Sequence, residues 1–152
     1  MERIQSFCVD HDLIEPDVYI SRIDGDVTTY DLRTRKPNAG DYMDNLTMHS
    51  VEHMFATYVR NSEIGDKVIY FGPMGCRTGF YLLVRDVDPT EVARIVRGTL
   101  IKIAEHDGEM FGNTRKECGN YKELSVEAAK VEARRYLEFI PEGKSDFSYP
   151  NS

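Results

Sequence analysis

The sequence predicts an α+β fold in which a mainly antiparallel β-sheet packs against a few helices. The first third of the chain contains alternating, β-branched runs that are typical of hairpin strands, whereas later segments carry apolar residues at helical spacing. Strands and helices do not alternate regularly, which disfavours a parallel sheet built from βαβ units. The 152 residues suit one domain, residues 1–152, with enough chain for a hydrophobic core.

Four segments are predicted to be strands: residues 18–23, 27–32, 67–71 and 80–87. The first two flank Asp24-Gly25-Asp26, and Asp-Gly between alternating runs indicates a hairpin, because the tight turn needs a positive φ. Residues 37–40 (Pro-Asn-Ala-Gly) interrupt the sheet. A glycine-rich connection, residues 72–79, joins the last two strands.

Three helices are predicted from apolar spacing and capping residues. The first covers residues 45–60, with an apolar stripe formed by Met48, Val51, Phe55, Tyr58 and Val59. The second begins after the cap Asp88, with proline at its first position, and runs to about Glu105. Ser125 caps the third, whose apolar positions are Ala128, Val131, Tyr136 and Leu137.

Composition excludes several classes of function. Lys+Arg 19 against Asp+Glu 26 gives a net charge of −7, which disfavours binding to nucleic acid. No apolar run approaches the roughly 18 to 20 residues that cross a bilayer, so no membrane association is expected. The N-terminal residues lack the apolar core of a signal peptide, which predicts a cytoplasmic location.

Three cysteines are too few and too scattered for a disulfide framework. In a reducing compartment such cysteines are buried residues, metal ligands or nucleophiles. Cys8 lies between Phe7 and Val9 in a segment with strand character, so a structural role is expected for it.

His49-Ser50-Val51-Glu52-His53 has the spacing of a helical metal clamp. Residues four apart share one face of a helix, so the imidazoles of His49 and His53 can reach a single ion. Glu52 lies on the same face and can handle protons beside the metal without binding it. The pattern H-x-x-E-H is also the inverted signature of zinc metallopeptidases. We therefore expect a metal site on this helix.

The residues alone leave the third metal ligand open. Cys118 lies in a polar Gly-Asn loop, and two imidazoles with one thiolate would leave a fourth position for water or substrate, as in catalytic sites. Cys76 and a distal carboxylate are the alternatives. Cys76 is followed by Arg77, whose positive charge favours a thiolate. His11 and Arg33, near strand ends, carry no functional assignment from the residues alone.

Several short motifs occur together in an order that points to one family. They are Ser6-Phe7 with Asp10-His11, Asp31-Leu32-Arg33 with Lys36-Pro37-Asn38, His49-Ser50-Val51-Glu52-His53, Pro73-Met74-Gly75-Cys76-Arg77-Thr78-Gly79-Phe80-Tyr81, and Cys118-Gly119. In this order, from residue 6 to about residue 121, they resemble the S-ribosylhomocysteine lyase (LuxS) family. Ser50 departs from the threonine more common in the family but keeps the hydroxyl.

The resemblance implies a LuxS-like homodimer with active sites at the subunit interface. Its substrate would be S-ribosylhomocysteine, cleaved by metal-assisted carbonyl migration and β-elimination to homocysteine and 4,5-dihydroxy-2,3-pentanedione, the precursor of autoinducer-2. The family carries one divalent metal per subunit, iron(II) natively, with zinc or cobalt also possible.

The resemblance also implies roles for individual residues. The metal ligands carried over are His49, His53 and Cys118, with water in the open position. The acid–base residues are Cys76 and Glu52. The residues that contact the substrate or support the catalytic cysteine are Ser6, His11 and Arg33.

Two other functions compete with this one. A metallopeptidase would use a distal carboxylate as third ligand and Glu52 to activate water, but such enzymes are much larger chains. A non-enzymatic, metal-stabilised binding module would need a closed site of four protein ligands, with Cys76 or His11 joining the other three.

Overall fold

A four-stranded antiparallel sheet forms one layer of the molecule in the computed structural model, which describes residues 1–143 and 146–150. Its strands are β1 (Asp17–Asp24), β2 (Val27–Arg33), β3 (Val68–Pro73) and β4 (Gly79–Arg85), in the spatial order β1-β2-β4-β3. The predicted hairpin is confirmed: Asp24 pairs with Val27, and Gly25 takes the positive φ of 63° that the turn requires.

The two later strands differ from the predicted bounds by a few residues. Lys67 belongs to a short 3₁₀ turn, Gly65–Lys67, so β3 begins one residue later and continues to Pro73, which pairs with Phe80. β4 stops at Arg85 because Asp86 adopts a φ of 51°, which an extended strand does not accommodate.

Three helices pack on one side of the sheet: α1 (Asn45–Arg60), α2 (Pro89–Ala104) and α3 (Val126–Leu137). The caps predicted for α2 and α3 are confirmed, since the side chain of Asp88 accepts a hydrogen bond from Thr90 N–H and that of Ser125 from Ala128 N–H. None of these helices, nor any other in the described part of the chain, is long and apolar enough to cross a membrane.

One hydrophobic cluster joins the sheet and the helices. From the sheet it takes alternate residues such as Tyr30 and Leu32 of β2, and from α1 it takes Val51 and Phe55. Because side chains alternate along a strand, the intervening residues of β2 point to the other face, away from the helices. The helices thus cover one face of the sheet, and on the other face β2 presents the polar residues Thr29, Asp31 and Arg33.

Two details of the sequence prediction are wrong. Cys8 is not in a strand: it follows a 3₁₀ turn, Gln5–Phe7, and is exposed, because this segment pairs with no strand and closes local turns instead. Val131 is 53% exposed, because the buried face of α3 consists of Ala129, Glu132, Ala133 and Tyr136. The other predicted positions agree better: Tyr136 is buried, and Leu137 packs against the core.

Candidate metal centre

Helix α1 places His49 and His53 one turn apart on the same face. Its start is fixed by Asp44, whose side chain accepts a hydrogen bond from Thr47 N–H at 2.7 Å. The two imidazole rings meet edge to face, with centroids 4.6 Å apart. Both are half-buried, which limits water without closing the site.

Cys118 comes to the same point from the long loop between α2 and α3, which we call the ligand loop (residues 105–125). Its Sγ lies 3.3 Å from His49 Nε2, and the ligand atoms of Cys118, His49 and His53 all lie within 4.8 Å of one another. These three form a group that could hold a metal ion. Two nitrogens and one soft sulfur suit iron, cobalt or zinc and leave a coordination position open.

Backbone carbonyls of the ligand loop orient both imidazoles. His49 Nδ1 lies 2.9 Å from Glu123 O, and His53 Nδ1 lies 2.8 Å from Phe111 O. Because a carbonyl can only accept, each Nδ1 carries the proton and donates it, which leaves each Nε2 with a lone pair for a metal. Sequence reasoning missed both partners, and no side-chain pattern could have found them, because the atoms involved belong to the backbone.

Gly112 makes room for one of these imidazoles. It has a φ of 63°, and a Cβ at this position would lie 3.2 Å from His53 Nδ1. Glycine therefore serves two needs here, the left-handed backbone and the close approach of the ring. The sequence shows this glycine, but nothing near it indicates that it faces His53.

Cys118 is held by the backbone around it. Its N–H donates to Thr114 O at 3.1 Å, which closes a turn, and the N–H of Asn120 approaches Sγ at 3.4 Å. These two backbone contacts fix the position of the sulfur beside His49.

Glu52 lies on α1 between the two histidines in sequence and is half-buried. Its side chain makes no hydrogen bond or ion pair with any residue in the described ranges, and it is not part of the three-residue metal group. The structure therefore places Glu52 on the helix that carries both histidines but outside the metal group.

Cys76 occupies a second site, the tight turn of residues 74–78 between β3 and β4, which we call the Cys76 turn. Arg77 N–H donates to Met74 O at 3.0 Å, and Arg77 O accepts from Met43 N–H, so the turn is tied to the residue before the cap of α1. Cys76 is exposed, and its Sγ lies 3.0 Å from Thr78 Oγ1.

A buried arginine stands behind that thiol. Arg33 Nη1 donates to Thr78 Oγ1 at 2.9 Å, and its other nitrogens donate to Asp31 at 3.1 and 2.6 Å. Arginine has no acceptor, so Thr78 oxygen accepts from it and the Thr78 hydroxyl proton is free to donate to Cys76 Sγ. Two successive hydrogen bonds through Thr78 thus link the positively charged Arg33 guanidinium to the sulfur of Cys76.

The charge of Arg33 is maintained although the side chain is only 3% exposed. Burial lowers the pKa of its guanidinium, but the hydrogen bonds and charge of Asp31, together with Cys76, raise that pKa above its ordinary value. Tyr149 donates to the same Asp31 carboxylate at 2.8 Å, and burial together with that negative charge raises the pKa of Tyr149. Sequence reasoning missed Tyr149 altogether, because it lies 118 residues from its partner.

Asp31 and Thr78 were within the motifs but had no assigned role. A signal for Asp31 existed, since residues two apart on a strand point to the same face and Asp31 therefore accompanies Arg33. Thr78 could be recognised only from the folded turn.

Ser6 and His11 lie in the N-terminal segment, each in or beside a 3₁₀ turn, Gln5–Phe7 and His11–Leu13. His11 Nδ1 lies 2.9 Å from Val9 O. Among the residues that the structure describes, no hydrogen bond or ion pair connects Ser6 or His11 with the metal group or with Cys76. The structure therefore brings together three of the expected site residues at one point and two, Cys76 and Arg33, at another.

Comparison with known proteins relates nearly the whole chain to one protein family. The family model described as S-ribosylhomocysteinase (LuxS) matches residues 4–146. The chain is similar to the S-ribosylhomocysteine lyase of Borreliella burgdorferi, with 38% identity over 99% of this chain and 100% of the relative. The enzymes of that name from Finegoldia magna (39% identity, 99% of each chain) and Clostridium beijerinckii (40% identity, 92% of each chain) are also similar.

Proposed function

The chain belongs to the S-ribosylhomocysteinase (LuxS) family, and on that premise we propose that it cleaves the thioether of S-ribosylhomocysteine. The products are homocysteine and 4,5-dihydroxy-2,3-pentanedione, the precursor of autoinducer-2. The observation that carries the proposal is the meeting of His49, His53 and Cys118 in a chain that matches lyases along nearly its whole length. The proposed active unit is the single domain of residues 1–152 with a divalent metal bound.

His49, His53 and Cys118 are the proposed metal ligands, with one ion per subunit. Iron(II) is the proposed native metal, and zinc or cobalt can occupy the same donors, since an N₂S set suits all three. When bound, the ion supplies a Lewis acid that stabilises negative charge on substrate oxygens. The protonated Nδ1 atoms and their carbonyl partners support this assignment, because that pattern orients imidazoles for a metal.

The thioether has no activated leaving group, so a carbonyl must first migrate along the ribose. In each shift a base removes the proton from the carbon next to the carbonyl, a proton is returned to the former carbonyl carbon, and the proton of the neighbouring hydroxyl passes to the former carbonyl oxygen. Cys76, as thiolate, and Glu52 are the proposed proton carriers on opposite sides of the sugar. In the final step a base takes the proton next to the migrated carbonyl, the C–S bond breaks, and the homocysteine thiolate leaves and is protonated.

Ser6, His11 and Arg33 are proposed to serve the substrate. Arg33 is buried against Asp31 and Thr78, which supports the second of its two expected roles, that of holding Cys76 as thiolate. Ser6 and His11 are half-buried in a segment separate from the metal group, and they are the proposed contacts to the substrate.

A homodimer with active sites at the subunit interface is part of the proposal. Three large apolar side chains in the segment that carries Ser6 and His11 are exposed, namely Ile4 (58%), Phe7 (63%) and Leu13 (41%). Apolar side chains concentrated in so short a segment are typical of a contact surface. Sedimentation velocity tests the oligomeric state, and a Phe7→Ser chain should shift towards monomer.

We also propose that the protein works in the cytoplasm. All three cysteines are free, and two of them have proposed roles that need the thiolate, which a reducing compartment preserves.

Incubation with S-ribosylhomocysteine, followed by detection of released homocysteine with a thiol reagent, tests the function. We expect turnover that stops after metal chelation and returns when iron(II) or cobalt is added. Casein cleavage without homocysteine release would contradict the proposal and favour a peptidase.

Two variants test the assigned roles. Glu52→Gln should keep its metal content while losing homocysteine release by at least about 100-fold, the scale of general acid–base catalysis. Glu63→Gln is the matched control, because Glu63 is an exposed partner of Arg94. Loss of metal from Glu52→Gln would make Glu52 a ligand. Near-normal turnover by Cys76→Ala would refute the role of Cys76.

A further inference from the structure

His106 is a buried histidine that the proposed reaction does not use. It lies near the start of the ligand loop, just past the end of α2, and is 8% exposed. Residues 107–109 are exposed and turn around its ring: Gly108 has a φ of 123°, and a Cβ added there would lie 4.0 Å from His106 Nε2. Buried polar side chains are generally hydrogen-bonded, so the partners of this ring indicate its role.

Both ring nitrogens of His106 have partners, and these partners join α1 to the ligand loop. Nε2 lies 2.8 Å from Glu109 O, and Nδ1 lies 2.7 Å from the hydroxyl of Tyr58 on α1. Because a carbonyl can only accept, Nε2 carries the proton, and Nδ1 of the neutral ring accepts from the Tyr58 hydroxyl. The imidazole thus closes residues 106–109 into a turn and attaches it to α1. Lys130 Nζ donates to His106 O at 2.8 Å, which attaches the same turn to α3.

The imidazole of His106 also packs against Phe111, the residue whose carbonyl orients a proposed metal ligand. The rings of His106 and Phe111 meet edge to face with centroids 5.0 Å apart, and Tyr58 meets Phe111 in the same way at 5.2 Å. Phe111 O accepts the Nδ1 proton of His53 at 2.8 Å. The hydrogen bonds and ring contacts of His106 therefore hold the backbone segment that orients His53.

We propose that His106 is a positioning residue of the metal centre, acting on His53 through Phe111. The inference rests on the proposed function in taking His53 as a metal ligand. Residues 106–112 form neither helix nor strand, so side-chain contacts supply the order that a regular backbone ladder supplies elsewhere. A fixed Phe111 carbonyl keeps the His53 ring oriented with Nε2 available for the ion. Outer partners of metal-binding histidines raise metal affinity in this way.

Competition between the full chain and a fluorescent chelator for Co²⁺ is the first test. His106→Leu removes both ring hydrogen bonds and should weaken Co²⁺ binding at least about tenfold, as loss of an outer partner usually does. His106→Gln keeps a donor for Glu109 O and an acceptor for the Tyr58 hydroxyl, so its affinity should stay within about threefold of the wild type. Tyr58→Phe, which removes one hydroxyl and keeps the ring, should fall between the two.

Nuclear magnetic resonance of the zinc-loaded chain distinguishes positioning from a general loss of stability. The Nδ1 protons of His49 and His53 both donate to carbonyls, but the partner of His49, Glu123 O, lies at the far end of the ligand loop. His106→Leu should speed solvent exchange of the His53 Nδ1 proton at least about fivefold and leave that of His49 unchanged. The matched control Val96→Ala, a truncation in the core face of α2, should lower the midpoint of denaturation without changing either proton or the Co²⁺ affinity.

Three outcomes would overturn the role of His106. They are a Co²⁺ affinity of His106→Leu within about twofold of the wild type, equal acceleration of the two imidazole protons, and absence of Co²⁺ binding to the wild-type chain up to about 1 mM. The proposed function fails separately, because none of these measurements follows turnover. If the variants behave as expected but the wild-type chain releases no homocysteine, the role of His106 stands and the lyase activity does not.

Discussion

Gly112 constrains the metal centre although it is not a ligand. Gly112→Ala would place a Cβ 3.2 Å from His53 Nδ1 at a φ of 63°. We expect the backbone strain to lower the free energy of unfolding by about 1 kcal/mol and the displaced imidazole to weaken metal binding about 10- to 100-fold. Competition with a fluorescent chelator measures the affinity.

Gly25→Ala is the matched control for this prediction. Gly25 has the same φ of 63° but nothing within 4 Å of an added Cβ, and it lies in the β1–β2 turn. The Gly25→Ala variant should therefore be less stable than the wild type but should bind metal with the same affinity. If both variants bind metal as the wild type does, contact with His53 is not what requires glycine at position 112.

Thr78 Oγ1 connects the buried guanidinium of Arg33 to the proposed catalytic thiol of Cys76. Thr78→Val keeps the side-chain shape but removes the hydroxyl that accepts from Arg33 and faces Cys76. We expect slower alkylation of Cys76 by iodoacetamide at neutral pH, because the thiolate loses a donor. Leaving Arg33 Nη1 unpaired should also reduce stability by about 1–3 kcal/mol.

Mass spectrometry of the same sample supplies the control for Thr78→Val. Cys8 is exposed and lies outside the Cys76 turn, so its alkylation rate should be unchanged. The ratio of Cys76 to Cys8 labelling then isolates the effect of the hydroxyl. An unaltered ratio would show that Thr78 does not influence the thiol.

At the scale of the element, helix α1 depends on the charge of its cap. Hydrogen bonds from the Thr47 side chain and backbone hold the pKa of the Asp44 carboxyl below its ordinary value. A folded pKa below the unfolded one adds stability that is fully present above about pH 4 and is lost as the pH falls through the folded pKa. The wild type should therefore lose stability in that acidic window relative to Asp44→Asn, whose amide also caps a helix but does not titrate.

Chemical denaturation between pH 2.5 and pH 7 measures this difference. Asp44→Ala, which has no cap, should be about 1 kcal/mol less stable than the wild type at pH 7, as loss of a cap usually costs. A gap between wild type and Asp44→Asn that does not vary with pH would show that the carboxylate charge contributes nothing.

Elements with local signals could be predicted from the sequence. The bounds of α1 agree with the prediction because a cap, an apolar stripe and the metal-binding spacing all lie within one segment. The strand predicted around Cys8 is wrong because the apolar residues Phe7 and Val9 do not show whether a partner strand is available. The same limit applies to the site: ligand spacing on α1 is local, whereas Phe111 O, Glu123 O and Tyr149 reach their partners only through the tertiary fold.

At the scale of the whole molecule, a bound metal would join α1 to the ligand loop. Chelation should lower the melting temperature of the protein, since any ligand that binds only the folded state stabilises it, by about 2.7 kcal/mol at 100 times its dissociation constant. Hydrogen exchange should increase most in residues 105–125, which have neither helix nor strand to protect them.

The control for the chelation experiment is a variant that lacks one of the proposed metal ligands. Cys118→Ser replaces the soft ligand, so its melting temperature should respond less to chelation than that of the wild type. An equal response in both chains would mean that the metal is bound elsewhere.

The strand order has a consequence for how this molecule can associate. At the β1 edge, Ile20 N–H already donates to Phe147 O, and at the β3 edge a bulge between Val68 and Tyr70 and the terminal Pro73 interrupt the ladder. Growth by strand addition is therefore obstructed on both sides. A dimer in which both copies use the same surface closes after one partner, whereas association through strand edges could continue without limit. The sheet is therefore not expected to extend beyond its four strands through either edge.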